Sequence, residues 1–136
     1  ENINQLMEQV DGKVVTLFGL TYKGNVDDIR ESPAMEILEM LREQNTYEVR
    51  AFDPHVQLDW VYQDVEEAVR DSDLIVVLAD HNEFKSLDWD ALSTMKSKRI
   101  FDTKYVVQHY RDDFEYIYFG NLYQFLKSKK KEATVL

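Results

Sequence analysis

The segment from Gly19 to Pro33 (GLTYKGNVDDIRESP) gathers the side chains most able to do chemistry. Lys23 and Arg30 stand near the start of a capped helix. There an ammonium point charge and a planar fork of guanidinium donors can both grip phosphate. Asp27 and Asp28 lie between them, and with Asp53 they have the oxygen chemistry to hold Mg²⁺. A plainer role is preferred for the pair, capping the loop and bracing it against Arg30. Two roles stay open for Arg30: an ion pair with Asp27, Asp28 or Asp53 that pins the loop, or a contact to a ligand phosphate.

Other polar residues cluster behind apolar runs: Asp53 with His55, Asp80 with His81, and Asp102-Thr103-Lys104. Either histidine could be a general base or a metal ligand, but ordinary hydrogen bonding is the preferred reading. His109 sits in a polar stretch and is given no role. No H-x-x-x-H spacing occurs, and there is no cysteine, so disulfides, thiolate zinc sites and a cysteine nucleophile are excluded within these 136 residues. The phosphate motifs are also incomplete. Gly19 and Gly24 are the only glycines of the loop, so G-x-G-x-x-G is missing, and Asn25-Val26 stands where a Walker loop needs Lys-Ser/Thr.

These residues need a scaffold, and the hydrophobic pattern supplies one. Ile3, Leu6, Met7 and Val10 have helical spacing, and Asp11-Gly12 stops that helix. Lys13–Phe18, Tyr47–Phe52, Asp73–Ala79, Arg99–Asp102 and Tyr116–Phe119 read as strands. Ser32-Pro33 opens a helix over Met35, Ile37, Leu38 and Leu41 to about Gln44, with Ser as cap and Pro at the first position. Asp64 caps a second through Val65, Ala68 and Val69, residues 83–95 carry a third around Phe84, Leu87, Trp89 and Leu92, and Leu122–Leu126 begins a closing one. Alternating strands and helices with short connections predict an α/β, doubly wound, Rossmann-like three-layer sandwich with a mainly parallel sheet of five or six strands. Ligands of such sheets sit beyond the carboxyl ends of the strands, where the polar groups above would converge. Trp60, Trp89, Phe84 and the Tyr116/Tyr118/Phe119 group read as packing residues; Tyr105 and Tyr110 stand where a base could stack.

Composition narrows the function further. The formal charge of −10 argues against a generic nucleic-acid-binding surface, and the longest apolar run, Leu74–Ala79, is too short to cross a bilayer. No signal peptide opens the chain, so a cytoplasmic setting is expected. Residues 127–136 carry Lys127, Lys129, Lys130 and Lys131 against Glu132 and read as a solvated basic tail. The first residue is Glu1, consistent with a piece of something longer.

Gly19-Leu20-Thr21-Tyr22-Lys23 followed by Asp28-x-Arg30-x-Ser32-Pro33-Ala34 resembles the start of the C-terminal, UDP-binding domain of the UDP-glucose/GDP-mannose dehydrogenase family. Asp53-Pro54, Leu78-Ala79-Asp80-His81-Asn82-Glu83-Phe84 and Phe101-Asp102-Thr103-Lys104 continue the likeness in order, over roughly residues 10–120. His81 with the Asp102-Thr103-Lys104 group is most similar to members acting on UDP-N-acetylhexosamines. The resemblance implies an NAD-dependent oxidation of the sugar's C6 alcohol to a carboxylate in two hydride transfers, through a thiohemiacetal and a thioester on a cysteine. It implies that Tyr22 and Lys23 contact the nucleotide sugar and that Arg30 reaches the NAD pyrophosphate. Lys104 falls where some members carry an arginine near the sugar, without that arginine's planar fork.

By the same resemblance, the NAD-binding domain, the central helices and the catalytic cysteine are expected upstream of Glu1, leaving this chain inactive alone. Residues 1–10 would end the central region, 11–126 would form the UDP-sugar-binding domain, and homo-oligomers would assemble mainly through the central helices. Two other classes compete. A phosphoacceptor receiver domain would use an acidic pair, an acceptor aspartate and a lysine, as Asp27-Asp28, Asp53 and Lys104 mimic. A stand-alone nucleotide-binding or regulatory module is the other.

Overall fold

The structure, a computed structural model, describes the backbone of residues 2–135 and the side chains of residues 2–127. Five strands form one sheet: β1 (Val14–Phe18), β2 (Glu48–Phe52), β3 (Leu74–Val77), β4 (Arg99–Asp102) and β5 (Glu115–Ile117). Every neighbouring pair is parallel, in the order β2-β1-β3-β4-β5. The doubly wound, Rossmann-like sandwich expected from the sequence is the fold, with five strands. Five helices flank the sheet: α1 (Asn2–Gln9), α2 (Pro33–Gln44), α3 (Val65–Val69), α4 (Trp89–Leu92) and α5 (Phe119–Val135).

Alternation along the strands divides the core into two layers. Val15, Leu17, Leu74, Val76 and Phe101 face α1, α2 and α5, with Leu6, Leu38, Leu41 and Leu122 packed over them. Phe18, Ile75, Val77 and Ile100 face the other way, under Ala68, Val69, Phe84 and Leu92. The leading helix belongs to the first layer: Leu6 and Met7 are fully buried, and the buried Arg99 donates through Nη1 to the carbonyl of Leu6 at 3.0 Å.

Two helices depart from expectation. The predicted helix over 83–95 is two pieces, a 3₁₀ turn at Asn82–Lys85 and α4. Ser86 is extended between them, and the Asp88 carboxylate starts the second piece by accepting from Ala91 N–H at 3.2 Å. Capping therefore overrode a continuous apolar period. The helix expected from Leu122 begins at Phe119 instead, because the Asn121 carboxamide accepts from Tyr118 N–H and ends β5 early. Helical backbone continues through the lysine-rich stretch to Val135; its side chains from residue 128 onward, and Leu136, lie outside the described residues.

Phe18 is level with Phe52 on one side and with Val77 on the other, so β1, β2 and β3 end together. The chain leaves β1 toward β2 and leaves β3 toward β4. That reversal between adjacent parallel strands makes the crevice above β1 and β3 the place where such sheets bind ligands.

Candidate functional site

The loop leaving β1 is laid against β3 by two close approaches. Gly19 has φ 97°, and a Cβ there would stand 2.5 Å from the Cβ of Ala79, so only glycine fits. Gly24 leaves equally little room, since a Cβ would meet the Asp80 carbonyl oxygen at 2.5 Å. Between them the Thr21 hydroxyl donates to the Lys23 carbonyl at 2.6 Å and closes a tight turn. Tyr22 and Lys23 project from that turn into solvent.

Beneath the loop lies a polar hub with no solvent exposure. Asp53 Oδ2 accepts from Leu20 N–H at 2.8 Å and from His81 Nε2–H at 3.0 Å, while Oδ1 accepts from His55 N–H at 2.8 Å. The other ring nitrogen of His81, Nδ1, accepts from Asn25 N–H at 2.8 Å. A backbone N–H can only donate, which fixes the proton on Nε2 and assigns the neutral tautomer. Both histidine nitrogens and both Asp53 oxygens are thus committed to the protein. Neither residue is free to ligate a metal, and Asp53 cannot be the exposed phosphoacceptor of a receiver domain. Among the described residues no group of three or more His, Asp or Glu is arranged to hold a metal ion.

His55 lies against the His81 ring at 4.4 Å and pairs with Glu83 at 2.9 Å. Burial pushes the Glu83 carboxyl up, but its own backbone N–H and His55 outweigh this and leave it below the usual range. His109 is exposed.

Asp28, not Asp27, engages Arg30, and both side chains border an open depression of about 570 Å³ with Tyr22, Lys23, Val26 and Glu31. Three of the four residues that the resemblance gives a ligand contact, Tyr22, Lys23 and Arg30, therefore line one depression. Lys104 is placed apart, in a second depression of about 320 Å³ shared with Asn25, Asp80, Asn82, Lys85, Tyr105, Val106 and Gln108. Val26 borders the first depression and its neighbour Asn25 the second. Lys23, Lys85 and Lys104 have no ion-pair partner among the described residues.

Asp102 is a second buried hub. It accepts from Lys104 N–H at 3.0 Å, from Val107 N–H at 2.9 Å and from the Tyr116 hydroxyl at 2.7 Å, fixing the backbone that carries Lys104. Tyr110 stacks on Tyr116 at 4.7 Å, so that face is already covered, whereas Tyr105 is 60% exposed at the cleft edge. Lys85 was not singled out by sequence reasoning. It ends the 3₁₀ turn next to the buried Phe84 and lines the same depression as Lys104.

Comparison with known proteins identifies the family. The UDP-glucose/GDP-mannose dehydrogenase family, UDP binding domain, matches residues 16–109. A UDP-N-acetyl-D-mannosamine dehydrogenase from Methanococcus vannielii is 45% identical over 100 residues, covering 70% of this chain and 23% of its own length. The native structure of the UDP-N-acetyl-mannosamine dehydrogenase Cap5O from Staphylococcus aureus superposes with a TM-score of 0.89 at 48% identity, over 92% of this chain and 30% of that one. The corresponding enzyme from Pyrococcus horikoshii gives a TM-score of 0.75 at 31% identity, over 87% of this chain and 29% of that one. The chain thus spans about a quarter of the length of the curated relatives it matches. A doubly wound sheet, a lysine-bearing loop over its switch point and the match over residues 16–109 make this chain a member of the UDP-glucose/GDP-mannose dehydrogenase family, through its UDP-binding domain.

Proposed function

We propose that this chain is the nucleotide-sugar-binding part of an NAD-dependent UDP-sugar 6-dehydrogenase, with UDP-N-acetyl-D-mannosamine as substrate and its uronate as product. One observation carries the reading: Lys23, free of any ion pair among the described residues, stands beside Tyr22 and Arg30 over a depression at the sheet's switch point. A diphosphate brings negative charge, and these are cations held outward on an otherwise acidic domain. Lys23 would neutralise the diphosphate, Tyr22 would pack on the nucleotide sugar, and Lys104 would approach the sugar from the second depression.

NAD, when bound, supplies the hydride acceptor. Of this chain's residues, Arg30 would touch its pyrophosphate. Leu20 N–H, the donor that a dinucleotide turn would offer to pyrophosphate, is already given to Asp53, and α2 does not begin until Pro33. The cofactor cleft and the cysteine that carries the acyl intermediate belong, on this reading, to an N-terminal NAD-binding domain and a central region of the same protein. Residues 1–10 would end that central region, 11–126 would form the UDP-sugar-binding domain, and 127–136 would be a basic tail. Assembly as a homo-oligomer and a cytoplasmic setting complete the reading.

The test is made on the full-length protein. UDP-N-acetyl-D-mannosamine should support NAD reduction, and Lys23→Ala should weaken UDP and the UDP-sugar together. A protein that reduces NAD with no UDP-sugar, or whose UDP affinity ignores Lys23→Ala, overturns the proposal.

A further inference from the structure

We infer that His81 is a positioning residue for nucleotide-sugar binding, acting through the backbone that carries Tyr22 and Lys23. The inference rests on the function proposed above. Tyr22 and Lys23 are exposed, and no described hydrogen bond or ion pair involves either side chain, so their placement is set by the main chain from Leu20 to Asn25. That stretch is tied at both ends to one buried unit. Leu20 N–H is held by Asp53, Asn25 N–H is held by His81 Nδ1, and Asp53 and His81 are joined at 3.0 Å. The loop is therefore closed into a ring through a histidine that reaches no solvent. A second tie reinforces the far end: the Asn25 carboxamide oxygen accepts from Asn82 N–H at 2.8 Å. Asn25 itself sits at φ 62°, a left-handed conformation in which asparagine is enriched.

The two ends of the imidazole can be tested separately. In His81→Gln the side-chain amide reaches the Nε2 position and can still donate to Asp53, but the acceptor for Asn25 N–H is lost. In His81→Asn the amide oxygen falls at the Nδ1 position and can keep that acceptor, while the Asp53 bond is lost. In the full-length enzyme, His81→Gln should raise KM for the UDP-sugar about tenfold, as expected for one missing buried hydrogen bond, with kcat changed less than about twofold. His81→Asn should recover most of that loss although both variants lower Tm. A purely structural role moves Tm and the kinetics in parallel and does not separate Gln from Asn.

Either variant could unfold a buried hub, so Asn82→Pro provides an exposed route to the same loop. Asn82 opens the 3₁₀ turn, and His81 before it has φ −60° and ψ 144°, a conformation that accepts a following proline. The substitution deletes the N–H that holds the Asn25 side chain and should raise the same KM about threefold, as loss of a weak exposed bond would. If Lys23→Ala weakens the UDP-sugar while His81→Gln and Asn82→Pro leave its KM unchanged, the positioning role is wrong and the nucleotide-sugar site stands. If Lys23→Ala itself has no effect, both are wrong.

Discussion

Arg30 lays its guanidinium along Asp28 in two parallel contacts, Nε to Oδ1 at 3.0 Å and Nη2 to Oδ2 at 2.9 Å, and its backbone N–H closes on Oδ1 at 2.9 Å. Three bonds to one carboxylate orient a side chain that is otherwise 86% exposed. Nη1 carries no bond among the described residues and keeps its donors for an incoming anion. The two roles left open by the sequence, pinning the loop and gripping a phosphate, are thus compatible in one geometry.

The side-chain bond from Arg30 is the main cause that lowers the Asp28 carboxyl from 3.8 to about 2. A depressed value means that the order this pair gives the loop is complete above the unfolded carboxylate range, near about 4, and is lost as pH falls through about 2. A carbon-detected titration should find the Asp28 midpoint near about 2, with residues 28–31 still native at about pH 3. A midpoint near about 4 would show that the pair does not persist in solution.

Tyr116 behaves in the opposite sense. Burial first, then its bond to Asp102, push the phenol above its ordinary range. Stability from a raised group is full below the unfolded value and is lost as pH climbs through the folded one. Tyr116→Phe should therefore leave the phenolate absorbance unchanged up to about pH 11, and should cost about 1 kcal/mol because Asp102 Oδ2 keeps its Val107 partner. Loss of one tyrosine's absorbance below that pH would count against the bond.

Asp53→Ala removes the acceptor for two backbone N–H groups and the His81 ring at once. Urea unfolding should show a loss of about 3 kcal/mol or more, since each buried donor left unmade costs about 1–3 kcal/mol. A loss below about 1 kcal/mol would mean that water replaces the carboxylate and that the hub is not closed.

Two glycines should rank differently. Gly24→Ala drives a Cβ into the Asp80 backbone, whereas Gly12→Ala meets the end of the flexible Met7 side chain at 2.8 Å. Thermal melts should show Gly24→Ala as the worse of the two, by about 1–2 kcal/mol, and UDP affinity should fall only for that variant. The reverse ranking would mean that the Lys23 turn does not rest on Asp80.

For the cations, the expected order is Lys23 before Lys104. Lys23→Ala should raise the UDP-sugar KM about 10–100-fold, the range of one charge-assisted bond, and Lys104→Ala about tenfold or less. Equal effects would argue that the two depressions close into one around the ligand.

The strands were readable because Val, Ile and Phe runs of strand length needed covering on both faces, and Asp73–Ala79 is the plainest of them. The start of α2 was readable too, because Ser32-Pro33 is a cap followed by a first-turn proline. The hubs were not. That the strand ends converge was legible, but nothing in the spacing of Asp53, His81 and Asn25 says that they bond to one another, since those hydrogen bonds exist only once β1, β2 and β3 end at one level. His81 reads as a rim residue in the sequence and lies just under the rim in the fold. The helix predicted over 83–95 failed because a side-chain cap at Asp88 is a local decision that an averaged apolar period conceals.

The docking of α1 bears on where this protein can be divided. The family match over residues 16–109 leaves out Ile3, Leu6 and Met7, which are buried in the core, and the Leu6 carbonyl, which accepts from Arg99. A recombinant truncation starting at Asp11 would uncover apolar surface on β3 and β4 and strip a buried guanidinium of an acceptor.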